Sequence, residues 1–439
     1  MGMKTVQDAS LTSVADAIRL KAEIEGTLEF PSQFISAIRN IPTGGGSVSV
    51  PPKDVNFYDY DGTVVDAYTA SEFASLSAMP KNPKHEGLTA QGWNWSLADA
   101  KAYVAKYGRL KIGQMYVTTS GDTEIDIQLS IGRNKPYLGC CPRGTVEIDW
   151  GDGSPHDTLT GTSTSTLKSI QHIYPDTGEM FTIKLHMESG SLGLIGNSSA
   201  GSQVLYNGTT STSNGQRAYQ NAVKAIRCSS HVTNIGNSTF QNCYSLASVT
   251  IPDGLTDIGY STFQNCYSLA SVTIPDSVTY IGPQALRSCY SLASVTIPDS
   301  VTNLSSYAFQ NCYPLASVTI PDGVTNIDDS AFQSCYSLAS VTIPDSVTNI
   351  GNSAFQNCYP LASVTIPDGV TNIGSQAFYS CNSLAYIIFE PTTPPTASSN
   401  AFNNLPSDLV VYVPAGTLAD YQAASNYSSI SSKMVEMSA

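Results

Sequence analysis

The chain is short of charge. Of its 439 residues only 13% are Asp, Glu, Lys or Arg, and 35 acidic residues face 21 basic ones for a net charge of −14. That balance excludes phosphate-driven binding of nucleic acid, which needs a basic surface. Long apolar runs are missing too: no stretch reaches the ~18 residues of a bilayer-spanning helix, so membrane insertion is not expected. The opening residues, Met1-Gly2-Met3-Lys4-Thr5-Val6-Gln7-Asp8, lack the apolar core of a secretory signal, so Sec export is not expected either. His85, His156, His172, His186 and His231 are scattered without metal-ligand spacing, and no nucleophile elbow, Walker loop or dinucleotide fingerprint occurs. No metal, cofactor or catalytic residue is expected. What is present is 41% hydrophobic residues, enough for packed cores, in a length that suggests about three domains of roughly 150 residues.

The C-terminal half is organised by a repeat. Ala-Ser-Val-Thr-Ile-Pro-Asp starts at Ala247, Ala270, Ala293, Ala316, Ala339 and Ala362, a constant period of 23. Cys243, Cys266, Cys289, Cys312, Cys335, Cys358 and Cys381 keep the period, as do the residues three before each, which are Phe except for Leu286. Such a period with Leu, Val, Ile and Cys anchors reads as a leucine-rich-repeat solenoid. Within a unit, Val249 and Ile251 share one face of a short strand while Thr250 points the other way. Pro252 ends pairing and Asp253-Gly254 turns the chain. Leu255 to Ile258 reads as a second short strand, and Thr262 to Cys266 as a single helical turn. One unit cannot bury its apolar side alone, but stacked units can, giving a block roughly 35 Å long at ~4.8 Å per rung.

These residues resemble the BspA-like leucine-rich repeats of bacterial and phage surface proteins, over about 223–439. Val410-Val411-Tyr412-Val413-Pro414-Ala415-Gly416-Thr417 and Tyr421-Gln422-Ala423-Ala424 are similar to that family's C-terminal cap. Val223, Ile226 and Cys228 stand in the register of Leu246, Val249 and Ile251 and predict a degenerate first rung. The seven repeat cysteines share one slot and are expected to stack as buried thiols rather than pair. Cys140-Cys141 has no second Cys or His pair at metal spacing, so structural or incidental use is expected.

Four segments follow: a helical N-terminal segment (1–46), a small α+β module (55–109), an all-β segment (110–190) and the capped solenoid (197–439). In the first, Leu11, Val14 and Ile18 share a helical face behind a Ser13/Asp16 capping box, and Phe34, Ile38 and Ile41 share another after Pro31. Two such helices suit oligomerisation or docking onto a larger assembly; packing on the next domain is the alternative. Residues 43–52 are a linker by composition. The second segment holds Trp93, Trp95 and a helix expected from Ser96 to Tyr107. In the third, Ile125, Ile127, Leu129 and Ile131 alternate, as do Val146, Ile148 and Trp150. With Trp150-Gly151-Asp152-Gly153 and His172-Ile173-Tyr174 they resemble a PKD domain, which implies an immunoglobulin-like sandwich serving as a spacer or contact module. Asp152-Gly153 is then a hairpin turn, with calcium binding the other reading.

Phe57-Tyr58-Asp59-Tyr60-Asp61-Gly62-Thr63 is similar to the first motif of haloacid-dehalogenase phosphatases, in which Asp59 would be the nucleophile and Asp61 the acid/base. That chemistry needs further Lys, Ser/Thr and carboxylate partners on a parallel sheet, and residues 67–190 show no strand–helix alternation. A turn at Asp61-Gly62 is the competing reading.

Binding candidates on the solenoid are the stripe Tyr244, Tyr267, Tyr290, Tyr313, Tyr336 and Tyr359, together with Tyr260 and Tyr307 in a variable loop triplet. Tyr joins apolar area to a hydrogen-bonding tip, which suits glycans and interfaces. Stacking of Tyr on Tyr as part of the structure is the alternative. Ser248, Thr250 and their copies form a hydroxyl ladder that suits a repetitive polymer. The order of segments resembles tail-associated proteins of phages and prophages infecting gut Firmicutes. The resemblance implies a non-enzymatic virion adhesion protein that leaves the cell by lysis. Its solenoid would contact a host cell-surface glycan or protein, and its N-terminus other tail components, with homo-oligomerisation by analogy to tail fibres. A bacterial surface adhesin exported by a non-Sec route and a phosphatase using Asp59 and Asp61 are the rivals. The low charge belongs to the solenoid: residues 232–389 hold nine Asp, one Arg and no Lys.

Overall fold

The computed structural model describes residues 53–438 apart from 59–63, 82–87, most of 94–109, 119–120, 195–203, 207–218 and 220. The expected N-terminal helices, the linker, Trp95, Asp59 and Asp61 lie outside the described residues. The described residues are β-rich, with a repeat solenoid as expected and very little helix.

Strands β1 (Val55–Tyr58), β2 (Val64–Tyr68), β3 (Leu88–Trp93) and β4 (Leu110–Thr118) form a sheet ordered β2-β1-β4-β3. Its central strand β4 comes from beyond residue 109. β1 and β2 run antiparallel with Tyr58 opposite Val64, whereas β1 and β4 run parallel. Helix α1 (Ala70–Ala74) opens with a capping box, in which Thr69 accepts from the Glu72 N–H and Glu72 accepts from the Thr69 N–H. Of the expected helix after Ser96, Leu97, Ala100, Lys101, Val104 and Ala105 are described as helical. Ala100 and Val104, four apart, pack with Phe73, Val55 and Phe57.

The all-β segment contributes β5 (Thr123–Gln128), β6 (Tyr137–Asp149), β7 (Asp157–Thr162), β8 (Lys168–Gln171), β9 (Met180–His186), β10 (Ser191–Leu194) and β11 (Leu205–Tyr206). The long β6 bonds to β8 and β11 along its first residues, to β10 over Cys141–Arg143 at its middle, and to β7 and β9 along its second half. Ile125, Ile127, Leu129, Val146, Ile148 and Trp150 are buried. Ile131 is not: β5 ends at Gln128, the chain turns at Gly132 (φ 79°), and Ile131 stands 74% exposed. The link from β6 to β7 is a hairpin loop in which Asp152 accepts from the Ser154 N–H and lies 2.9 Å from His172 Nε2. Trp150 stacks on His172 at 4.4 Å between ring centroids and donates to Asp157.

This segment continues directly into the solenoid. β12 (Val223–Arg227) bonds antiparallel to β5 on one side and parallel to Ser248–Thr250 on the other, with Ile226 opposite Val249. The degenerate first rung is therefore real. β13 (Val232–Ile235), its second strand, bonds parallel to β10. The first sheet of the solenoid thus has its N-terminal edge paired, which removes an open ladder that would template aggregation. At the other end, Tyr386–Phe389, Val410–Val413 and Met434–Glu436 extend the first sheet in parallel. Helix α2 (Leu418–Ala423) brings Tyr421 over the core; with Tyr427 it is fully buried, their hydroxyls donating to the Pro391 and Pro395 carbonyls. One continuous hydrophobic core runs from Ile125 to Met434.

Each rung has the two expected strands, for instance Ser271–Thr273 and Tyr280–Ile281. The third side departs from the expected helical turn. Ser261 (φ 54°) and Asn265 (φ 61°) are left-handed, and the pattern recurs through Ser380. The alternation aims backbone N–H groups along the solenoid axis: Phe263 donates to Ala285 and Asn265 to Arg287, both at 2.8 Å. A right-handed turn would direct those donors back into its own rung, so stacking decides the conformation. Asn tolerates it well among non-glycine residues, whereas Ser261, Gln284 and Tyr307 are held in it by the bonds to the next rung.

Candidate functional site

The repeat places each chemistry-bearing side chain in a column, and most columns are consumed by the fold. The thiols of Cys266, Cys289, Cys312, Cys335, Cys358 and Cys381 each donate to a backbone carbonyl in the preceding rung, at 3.2–3.3 Å. All ten cysteines are unpaired and buried. Burial pushes the thiols of Cys243, Cys312 and Cys381 up to about 12 and those of Cys266, Cys289, Cys335 and Cys358 well above their ordinary value. Such thiols are inert as nucleophiles and as metal ligands. Cys140 and Cys141 are likewise raised by burial, to about 12 and about 11. Among the described residues, no three His, Cys, Asp or Glu gather closely enough to hold a metal ion.

The six stripe tyrosines form one continuous stack. Centroids of successive rings from Tyr244 to Tyr359 lie 4.7, 4.6, 4.7, 4.7 and 5.2 Å apart. Tyr267, Tyr313 and Tyr336 are buried, while Tyr244, Tyr290 and Tyr359 are half-buried. Burial holds the phenols of Tyr313 and Tyr336 protonated far above the usual range. Ring faces occupied by neighbouring rings are closed to a sugar; what reaches solvent along the stack is ring edge. Tyr260 and Tyr307 are more open, 44% and 37% exposed. Tyr260 Oη accepts from Gln284, and the Arg287 guanidinium lies 5.7 Å from the centre of the Tyr307 ring. They stand on different rungs and form no joint site with the stack.

The strand side divides in two. Over the early rungs it is covered along one edge: Ala293 and Ala316 are buried against Val55, Phe57, Phe73, Ala100 and Val104 of the small module, while Thr273 and Thr296 are exposed. Beyond that contact Ser317, Thr319, Ser340 and Thr342 are exposed, Ser363 and Thr365 half-exposed. In register with these rows, the C-terminal strands replace hydroxyls with larger groups. Tyr386 lies opposite Ser363, while Ile388, Tyr412 and Val435 continue the Thr365 row. Tyr386 is 41% exposed, and its ring centre is 6.4 Å from that of Tyr412. The sequence did carry a signal for these rings, namely the loss of Ser and Thr at fixed repeat positions. A search for periodic columns passes over such departures. Along the turn after the strand, Asp253, Asp276, Asp299, Asp322, Asp345 and Asp368 form an exposed acidic row.

Residues 212–339 and 302–430 match the BspA type leucine rich repeat region. Among solved structures, a leucine-rich repeat protein of T. pallidum shares 32% identity over 39% of this chain and 74% of its own, with a TM-score of 0.31. A leucine-rich repeat protein of Bacteroides ovatus shares 28% identity over 50% of this chain, with a TM-score of 0.37; the match spans 62% of that protein's length. A leucine rich cell surface protein of Faecalibacterium prausnitzii shares 27% identity over 44% of this chain and 66% of its own, with a TM-score of 0.31. No curated protein matches. The repeat period, the buried thiol column and these matches lead to one assignment: the chain belongs to the BspA-type leucine-rich repeat family.

Proposed function

We propose that the protein is a non-enzymatic adhesion protein carried on a phage or prophage tail, whose solenoid contacts a glycan or protein of the host cell surface. The observation that supports this reading is how the repeat uses its side chains. Thiols and most stripe rings are spent on stacking, which leaves long, uniform polar rows suited to contact rather than chemistry. In the same reading the all-β segment, which resembles a PKD domain, spaces the solenoid from the N-terminal segment, which attaches to other tail components or to further copies of the chain. A surface that repeats every rung can engage a repetitive target at many points, so weak contacts sum.

The test is retention of the labelled full chain on cells and envelope fractions of gut Firmicutes. Retention is expected, and absence from every fraction sinks the reading. A bacterial surface adhesin is the second reading, and recovery of the protein from purified virions or from uninfected cell surfaces separates the two. Magnesium-dependent phosphatase activity abolished by Asp59→Asn would overturn both.

A further inference from the structure

Resting on the adhesion reading, we infer that the ligand is an uncharged polysaccharide, and that it lies along the exposed strand side from the rung of Ser317 to the Tyr386–Tyr412 pair. The first observation is hydrogen-bonding capacity. Among the described residues, the hydroxyls of Ser317, Thr319, Ser340, Thr342, Ser363 and Thr365 have no hydrogen-bond partner, yet they sit on a paired, rigid ladder. Each can donate and accept, the property a row of sugar hydroxyls requires. Preorganised on strands, they lose little freedom on binding.

The second observation is what ends the rows. Tyr386 and Tyr412 stand in the same two rows, three-dimensionally continuous with the hydroxyls, and Val435 (43% exposed) lies beyond Tyr412. Unlike the stripe rings, which stack face to face on their neighbours, these two meet at 70°. An aromatic surface beside hydroxyls accommodates the apolar C–H faces and the polar rim of a pyranose together.

The third is charge. The two rows carry no ionisable group other than the two phenols, while Asp322, Asp345 and Asp368 run exposed along their flank. A polyanion meets that acidic row and is repelled, whereas a neutral polymer is not. A protein partner gains little from identical hydroxyls at every rung, because uniform rows discriminate poorly between surfaces. A polymer with its own short repeat meets the same pair of hydroxyls again at each step. The small module marks where the site begins, since it covers Ala293 on the preceding rung and Ala316 at the start of the Ser317 rung, next to the exposed Ser317.

The test is affinity electrophoresis of the full chain through gels containing neutral polysaccharides (mannan, a β-1,3-glucan, a galactan) or the anionic polymers alginate and lipoteichoic acid. Retardation by at least one neutral polymer and by neither polyanion is expected. Tyr386→Ala/Tyr412→Ala should weaken it about tenfold or more. Thr342→Glu, a surface change made separately, should weaken it as well, and Ile131→Ser on the β5–β6 loop should not. Circular dichroism and melting of each variant separate lost binding from lost folding. Retardation by no neutral polymer, retardation by polyanions, or indifference to both strand-side variants overturns the assignment. Retention on cells that persists in these variants, or that protease treatment of the cells removes, overturns this site while leaving adhesion standing. Absence of cell retention fails adhesion on its own terms.

Discussion

Arg227 of the first solenoid rung grips Asp126 of β5 through two parallel hydrogen bonds, Nη1 to Oδ2 at 2.6 Å and Nη2 to Oδ1 at 2.7 Å. Its Nε donates to Glu124 at 2.8 Å, and all three side chains are buried. Thr182 of β9 donates to the same Asp126. The cluster locks the all-β segment onto the end of the solenoid, where β5 and β12 share a ladder. Replacing the cation alone leaves two carboxylates without it in a dry interface. Arg227→Met is therefore expected to destabilise by about 3–5 kcal/mol, and Arg227→Met/Glu124→Leu/Asp126→Leu to recover most of that. Urea denaturation of the three proteins decides it; equal midpoints for the single and triple variants would contradict the account.

The thiol column predicts chemical silence. At pH 8 a disulfide reagent should label none of the ten cysteines in the folded chain and all ten in denaturant. Labelling should follow the rate of global unfolding as denaturant rises. A cysteine that reacts faster than unfolding would show that its rung opens independently.

Tyr290 sits in the middle of the stack with a ring on each face, whereas Tyr244 begins it. Tyr290→Ala should cost about 2–4 kcal/mol, since it opens a gap and breaks two stacked pairs; Tyr244→Ala should cost roughly half. Tyr290→Phe keeps the ring but gives up its hydrogen bond with Tyr313, for a loss of about 0.5–1.5 kcal/mol. Thermal denaturation of the three variants ranks them. If Tyr290→Ala left stability untouched, the stack would be free for other use.

His186 Nδ1 lies 2.7 Å from Asp122, and that hydrogen bond raises the imidazole pKa above its ordinary 6.5. A raised folded-state value means that the pair stabilises the fold below pH ~6.5, with the contribution lost as pH rises through the folded pKa. An NMR titration of His186 should give a midpoint above 6.5, and Asp122→Asn should lower it. A midpoint unchanged by that substitution would remove the pair from any pH dependence of stability.

Periodicity made the solenoid legible. Val249, Ile251, Ile258, Phe263 and Cys266 recur with the rung, so their burial follows from local spacing and from the need of each unit for a neighbour. The first rung at Val223 and Ile226 was readable for the same reason, because it keeps the register while losing the consensus. The third side was misread because the conformation of Ser261 and Asn265 answers to the donors' partners in the next rung, which no local propensity records. Ile131 was misplaced because alternation continues in sequence past the point where the strand stops.

The sequence by itself determined the period, the two strands of each rung, the thiol and phenylalanine columns and the acidic surface, since all of these depend on contacts between equivalent positions. Only the tertiary structure decided which surfaces remain available. The pairing of β5 with β12, the Arg227–Asp126 contact across 101 positions and the cover over Ala293 and Ala316 join segments far apart in the chain. Solvent exposure depends on such meetings, so the tyrosines that repeat proved largely stacked away, and the pair that breaks the repeat, Tyr386 and Tyr412, stands on the open strand side.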